Sequence, residues 1–206
     1  ILDFPAHSKH TGFRRELDLD SAISRTSYRA DGVLFNREVL VSHPDQLIAV
    51  RITADKPGAL EFRAHLESTH YKKSVHTDFD EQTLDVRPAE EPQRFDPMHP
   101  EESVLRGKAG MKIITDGTIT PGYQEIRVHG ASTATIYLTA YTNFVNFRDV
   151  SGRPEWHINQ AFRRQFPGLD FDMVQARHVQ DYQNLYKRFA LQFEGEERSS
   201  LPTDQR

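Results

Sequence analysis

The sequence predicts a mainly β protein, an antiparallel β-sandwich followed by two C-terminal helices. Apolar and polar residues alternate with period two through most of the first 146 residues, the pattern of half-buried strands. Turn residues punctuate those runs at Asp31-Gly32, Asp55-Lys56-Pro57-Gly58, Asp116-Gly117 and Pro121-Gly122. Asp-Gly between alternating runs is a strong hairpin signal, because glycine takes positive φ without a Cβ clash. After Asn146 the apolar spacing changes to three and four, the spacing of helices. Strands first and helices last argue for a sandwich with a helical segment behind it.

Taken in order, Leu2 and Phe4 alternate with Asp3 until Pro5 ends the run, and residues 7–12 form a loop. Three strand-like runs then fill Phe13 to Gly58, broken at Asp31-Gly32 and at His43-Pro44-Asp45. In the first, Leu17 and Leu19 are expected to face inward, and Glu16, Asp18 and Asp20 outward. In the last, Ile48, Val50 and Ile52 share one face, and Ala49, Arg51 and Thr53 the other. This reads as a meander with one buried face. Ala59 to Ser68 is the clearest half-buried strand, with Leu60, Phe62, Ala64 and Leu66 together. From Thr69 to Ser103 prolines 88, 92, 97 and 100 lie among polar residues, which predicts a long surface excursion with one short strand near Gln82 to Arg87. Val104–Gly107 and Gly110–Thr115 read as a strand pair, Gln124–His129 as another strand, and Ala134–Tyr141 as a central strand covered on both faces. Pro154 opens a helix running to about Phe166, stopped by Pro167-Gly168. Its apolar side is Ile158, Ala161, Phe162 and Phe166. A second helix, about Asp172 to Arg188, carries Val174, His178, Tyr182, Leu185 and Phe189 at spacings of three and four, and is expected to dock through Val174, His178, Tyr182 and Leu185, on the sandwich or on a domain absent from this chain.

Composition bounds the function. The 206 residues hold 26 basic and 30 acidic side chains, a formal charge of −4, with no basic cluster. No nucleic-acid partner is expected. With no cysteine there is no disulfide framework and no thiolate metal site. No apolar run approaches the ~20 residues of a membrane-spanning helix, and no membrane partner is expected. The chain opens at Ile1 on a strand-like run and closes on a polar stretch, so it reads as an internal fragment or an incomplete gene model, not a complete enzyme.

The runs Arg14-Arg15-Glu16-Leu17-Asp18-Leu19-Asp20, Arg37-Glu38-Val39, Ser42-His43-Pro44-Asp45-Gln46 and Val50-Arg51-Ile52-Thr53, with the turns at Asp31-Gly32 and Asp55–Gly58, occur in one order. Together they resemble the N-terminal β-domain of the α-L-fucosidases of glycoside hydrolase family 95. The resemblance returns from Val104 and includes Val128-His129-Gly130-Ala131 and the helix run from Arg177 to Tyr186. It implies a β-super-sandwich over residues 1–150, lacking the family's first strands, and a helical linker over 151–206 leading towards an absent (α/α)6 barrel. It further implies inverting hydrolysis of terminal α-L-fucosides, or of a related sugar such as L-galactose, by the parent enzyme. The implied general acid is a glutamic acid, with asparagines and an aspartate helping to activate water, all in barrel motifs that this sequence does not contain. No residue here is therefore assigned a catalytic role, and no cofactor or metal is implied. The implied partners are the parent's barrel and a fucosylated glycan. The competing reading is a stand-alone carbohydrate-binding or interaction module.

Several residues are weighed on their own chemistry. Glu16, Asp18 and Asp20 alternate on one strand ~7 Å apart, a spacing open to an acid/base pair or a calcium site. A solvated strand face with Arg14 and Arg15 as partners is the preferred reading. His65, His70 and His76 match no zinc spacing. His178 lies on an apolar helical stripe and reads as a hydrogen-bonded interface residue, with Asp181 and Tyr182 fixing helix packing. Tyr71, Phe79, Phe95 and Trp156 are candidates for stacking on sugar rings, whereas Tyr137 and Tyr141 read as strand packing. There is no Gly-rich phosphate loop, Ser/His/Asp signature or nucleophile elbow.

Overall fold

The computed structural model describes residues 1–70, 72–87, 105–191 and 201–202. The strands are β1 (Leu2–Asp3), β2 (Thr11–Asp18), β3 (Ile23–Ala30), β4 (Val33–Ser42), β5 (Leu47–Ala54) and β6 (Leu60–Ala64). They continue with β7 (Lys72–Asp78), β8 (Glu81–Arg87), β9 (Gly107–Thr115), β10 (Thr118–Pro121), β11 (Ile126–Ala131) and β12 (Thr133–Thr142). Helix α1 (Pro154–Gln160) widens into a π-type turn over Ala161–Gln165, and α2 spans Phe171–Tyr186. The described strands pair into a large sheet ordered β2-β3-β4-β5-β12-β9-β8-β7 and a small one ordered β1-β6-β11-β10, every pairing antiparallel.

Three layers result. Between the sheets lie Tyr28, Phe35 and Ile52 from one and Leu60, Phe62 and Val128 from the other. On the outer face of the large sheet, Ile23, Leu40, Leu47, Ala49 and Tyr137 meet Ala161, Phe166, Phe171 and Val174 of the helical segment. Each buried Ile, Leu, Val or Phe among them contributes roughly 1.5–3 kcal/mol through burial. The mainly antiparallel sandwich with two C-terminal helices is thus the observed fold, and β12 is the expected doubly covered central strand. Ala134 and Ile136 face the small sheet while Tyr137 and Thr139 are buried on the other face.

Several local expectations need correction. The first run of the meander folds back to give two strands, β2 and β3. Asp18 accepts hydrogen bonds from the Asp20 N–H (3.0 Å) and the Ser21 hydroxyl (2.6 Å), closing a turn in which Ala22 has φ 52°. Leu17 and Leu19 are not buried but 61% and 60% exposed. The edge strand β2 supplies no residue to the inter-sheet core, so its inward face has nothing opposite. The meander does not have a single buried face either. On β5, Ile52 packs between the sheets, whereas Leu47 and Ala49 pack under the helices. Part of the expected surface excursion is strand β7, which pairs along its length with β8. Pro88, Pro92, Phe95, Pro97, Pro100 and Val104 lie outside the described residues.

Residues 107–115 form one strand, not two, because Gly110 continues β9 instead of breaking it. A Cβ at Gly110 would stand 2.9 Å from Cζ of Phe162 and 3.0 Å from Cγ2 of Ile158, so the glycine lets helix α1 approach the sheet. Strand β6 ends at Ala64, short of Ser68, and Leu66 is half-buried. On α2, Val174 and His178 are buried but Leu185 is 62% exposed, and Phe189, beyond the helix end at Tyr186, is 72% exposed. The last turn of the stripe runs past the sheet.

Candidate functional site

A polar concavity of about 510 Å³ lies on the outer face of the large sheet, over strands β2 to β5. The two hairpins around Asp31-Gly32 and Ser42–Gln46 set a register that places Arg25 opposite Glu38, and Glu38 opposite Arg51. Cross-strand neighbours of opposite charge attract, and here they chain together. Arg25 reaches Asp18 and Glu38, each at 3.3 Å. Glu38 accepts from Arg51 at 2.7 Å, and Arg51 reaches on to Asp172 in the first turn of α2 at 2.5 Å. The Arg51 guanidinium also lies 4.2 Å over the Phe171 ring. Burial alone would lower the Arg51 pKa, but hydrogen bonds to Glu38 and Asp172 outweigh it and hold the group above its ordinary value. Arg14 and Glu16 close the far rim with a 2.7 Å ion pair.

A second set of contacts locks the helices onto this face. The Arg177 guanidinium donates to Asp45 at 2.6 Å, and the Gln165 amide donates to the Asp45 carbonyl. The Tyr137 hydroxyl donates to the Leu169 carbonyl at 3.1 Å, beneath Phe166. His178 Nε2 lies 3.0 Å from the Ser21 carbonyl, Tyr182 donates to the Leu19 carbonyl at 2.7 Å, and Gln183 donates to Asp20 at 2.9 Å. Helix α2 therefore clamps the β2–β3 turn through side chains that reach backbone carbonyls. His178 is the hydrogen-bonded interface residue the helical stripe predicts.

The three candidate carboxylates do not form a unit. Glu16 is held by Arg14, Asp18 by Ser21, Asp20 N–H and Arg25, and Asp20 by Gln183. The Ser21 hydroxyl, then the Asp20 amide, hold Asp18 below its ordinary pKa. Asp116, through the backbone amides of Thr133 and Ser132, and Asp149, through Ser151, are lowered as well. A glycosidase acid needs the opposite shift, upward, so that it keeps its proton. His65 is half-buried 3.9 Å from Glu67, and His70 and His76 are exposed. Among the described residues no group of three or more His, Asp or Glu side chains is placed to hold a metal ion. Phe79 is exposed in the β7–β8 turn, and Trp156 is exposed on α1. Tyr71 and Phe95 lie outside the described residues. Tyr137 and Tyr141 pack as expected, Tyr141 stacking on His157 at 4.6 Å.

The Arg25–Glu38–Arg51 ladder escaped the sequence reading. Its signal was present, since two hairpin turns and their lengths place these three residues side by side. The Asp45–Arg177 pair, 132 residues apart, leaves no local signal.

The fold is a β-sandwich backed by helices, with ion pairs running across the outer face of its large sheet. In family terms the chain belongs to the domains described as glycosyl hydrolase family 65, N-terminal domain, which it matches over residues 1–147. Alpha-L-fucosidase 2 of Arabidopsis thaliana is 28% identical over 217 residues, spanning 94% of this chain and 25% of that protein. The chain is thus a glycoside hydrolase N-terminal domain and a fucosidase homologue, in line with the resemblance carried by Phe13 to Gly58. It spans about a quarter of the length of that curated relative. Among solved structures, a human-microbiome protein named provisionally as a kojibiose phosphorylase matches with TM-score 0.60 over 87% of this chain and 25% of its own. At 12% identity that match speaks for the fold alone.

Proposed function

We propose that this chain is the non-catalytic N-terminal module of an α-L-fucosidase-like glycoside hydrolase. In this reading residues 1–150 are the sandwich and 151–206 the helical linker to an (α/α)6 barrel. The barrel hydrolyses terminal α-L-fucosides with inversion and contributes the acid, the base and the pocket. The observation that carries the reading is the state of the carboxylates. Inversion needs an acid and a base ~6.5–9.5 Å apart with water between them, and the acid must hold its proton. Glu16, Asp18 and Asp20 are instead each engaged with a different partner, and the carboxyl pKa shifts cited above run downward. The charged ladder and the helix clamp serve to hold the helical segment at a fixed place on the sandwich, which a linker to a second domain requires.

The test is to sequence the coding DNA on both sides and express the chain alone and with its continuation. Fucoside hydrolysis by the longer protein only is the expected result. A stop codon directly after residue 206, with no barrel encoded, would favour the stand-alone module instead.

A further inference from the structure

Exposed apolar side chains gather at one end of the large sheet. Strand pairing brings the β2–β3 turn, the β4–β5 turn and the end of β12 to that end, since Asp18 pairs with Ile23, Ser24 with Val39, Ser42 with Leu47 and Leu138 with Ile48. Leu17 and Val41 lie there on their strands, and the loop after β12 adds Phe144, Phe147 and Val150, all of them exposed. Helix α2 runs to the same end, from Asp172 beside Arg51 to Tyr182 beside Leu19, and carries the exposed Leu185 in its last turn. At the opposite end the turns are Asp31-Gly32, residues 55–58, Phe79-Asp80 and Asp116-Gly117, three of the four without a large apolar side chain. The loop over residues 143–152 holds its apolar side chains out on a braced frame. The buried Asn143 amide donates to the Val150 carbonyl at 2.9 Å and accepts from the Arg106 N–H at 2.8 Å. Asn146 accepts from the Arg148 N–H at 2.9 Å and Asp149 from the Ser151 N–H at 2.8 Å. A bridge between Asn146 and Asp149 makes Phe147 and Arg148 the central pair of the turn, with Phe147 82% exposed. Phe144 and Val145 also line an apolar basin of about 650 Å³, with Leu84, Tyr141 and His157.

We propose that this end of the large sheet, with Phe144 and Phe147 as its anchors, is the seat of the domain that follows the helical segment in the parent enzyme. This seat rests on the reading of the chain as an N-terminal module and adds where the partner domain lies. Single exposed apolar residues are ordinary, but several at one end, on a loop braced by its own hydrogen bonds, mark an interaction surface. A loop that is already ordered loses little entropy when its aromatic side chains are buried, which suits an anchor. The path of the chain selects the occupant. Helix α2 delivers the chain to this end, and the module spans 25% of the length of the Arabidopsis fucosidase it is similar to, so most of such a protein lies outside it. The matching surface is apolar, because an unpaired charge set against Phe147 would lose its hydration without return.

The test is hydroxyl-radical footprinting, read by mass spectrometry, on the 206-residue chain and on the longer protein encoded by the flanking DNA. Phe144, Phe147 and Leu185 should be oxidised in the short chain and protected in the longer protein. Phe79, at the opposite end, and Tyr123, on the small sheet, are exposed and should be oxidised equally in both. Phe147→Asp should restore oxidation of Phe144 in the longer protein while leaving thermal unfolding of the short chain unchanged, and Phe79→Asp should alter neither. Oxidation of Phe144 and Phe147 as fast in the longer protein as in the short chain would overturn the seat. So would a Phe147→Asp protein in which Phe144 stays protected. Protection that appears only as sedimentation shows self-association would give the surface to a second copy instead, and would equally overturn it. A longer protein that hydrolyses fucosides with Phe147 still open would sink the seat and leave the module reading standing, whereas a stop codon after residue 206 would sink both.

Discussion

Phe166 is the residue on which the helical segment should turn. It is fully buried, stacks 5.7 Å from Tyr137 with an interplanar angle of 23°, and meets Phe162 at the same distance. Truncation to alanine removes the buried ring, worth roughly 1.5–3 kcal/mol of transfer. It also removes aromatic contacts of about 0.5–1.5 kcal/mol and leaves a cavity between helix and sheet. Phe166→Ala should therefore cost about 3–5 kcal/mol. For a chain of this size that lowers Tm by roughly 6–20 °C. Leu185→Ala, on the same segment but exposed, is the internal control and should stay within about 0.5 kcal/mol. Urea unfolding followed by both Trp156 fluorescence and circular dichroism would measure it, because the tryptophan sits in the docked segment and the sheet dominates the dichroism. A cost for Phe166→Ala no larger than that for Leu185→Ala would refute the docked helical layer.

Other predictions rest on separate contacts. Burial, with Asp170, Asp172 and Asp45 nearby and Arg51 opposing, pushes the Tyr137 phenol up to about 12. The neutral phenol is the folded form, so its contribution is complete below the unfolded pKa of about 10 and is lost as pH rises through about 12. The parent chain should therefore lose on the order of 2–3 kcal/mol more than Tyr137→Phe over that window, read by urea unfolding at each pH; parallel curves would remove Tyr137 from the account. Gly110→Ala should cost ~1–3 kcal/mol by overpacking against Phe162 and Ile158, and Phe162→Leu in the same chain should recover part of it. Additive losses in the double variant would show that the two sites do not touch. Arg51→Met should cost roughly 1.5–3 kcal/mol, since it breaks ionic hydrogen bonds to both Glu38 and Asp172. A neutral result in thermal unfolding would make the ladder ornamental to stability.

Much of the fold was legible because period and turn chemistry are local. Asp31-Gly32, Asp55–Gly58 and Asp116-Gly117 each mark a chain reversal, and Pro154 and Pro167-Gly168 bracket the first helix and its π-type turn. What misled was anything decided by the opposite layer. Leu17 and Leu19 alternate like core residues, yet whether they are covered depends on how far a sheet built from distant residues extends. Gly110 looked like punctuation, and only the arrival of Phe162 from 52 positions later reveals it as a contact point. Leu185 obeys the helical stripe, but the stripe outruns the surface beneath it. The site followed the same rule. Glu16, Asp18 and Asp20 were visible as a row, while their separate partners Arg14, Ser21 and Gln183 required the fold.

The central claim, that this module lacks the chemistry of the enzyme it resembles, is tested most directly by one assay. The purified 206-residue chain is incubated with 4-nitrophenyl α-L-fucoside beside Glu16→Gln, Asp18→Asn and Asp20→Asn variants. No turnover above buffer is expected from any of the four, because each carboxylate is bound to its own partner. Turnover by the parent chain that disappears in one of the variants would contradict the account and make the β2 edge the active site.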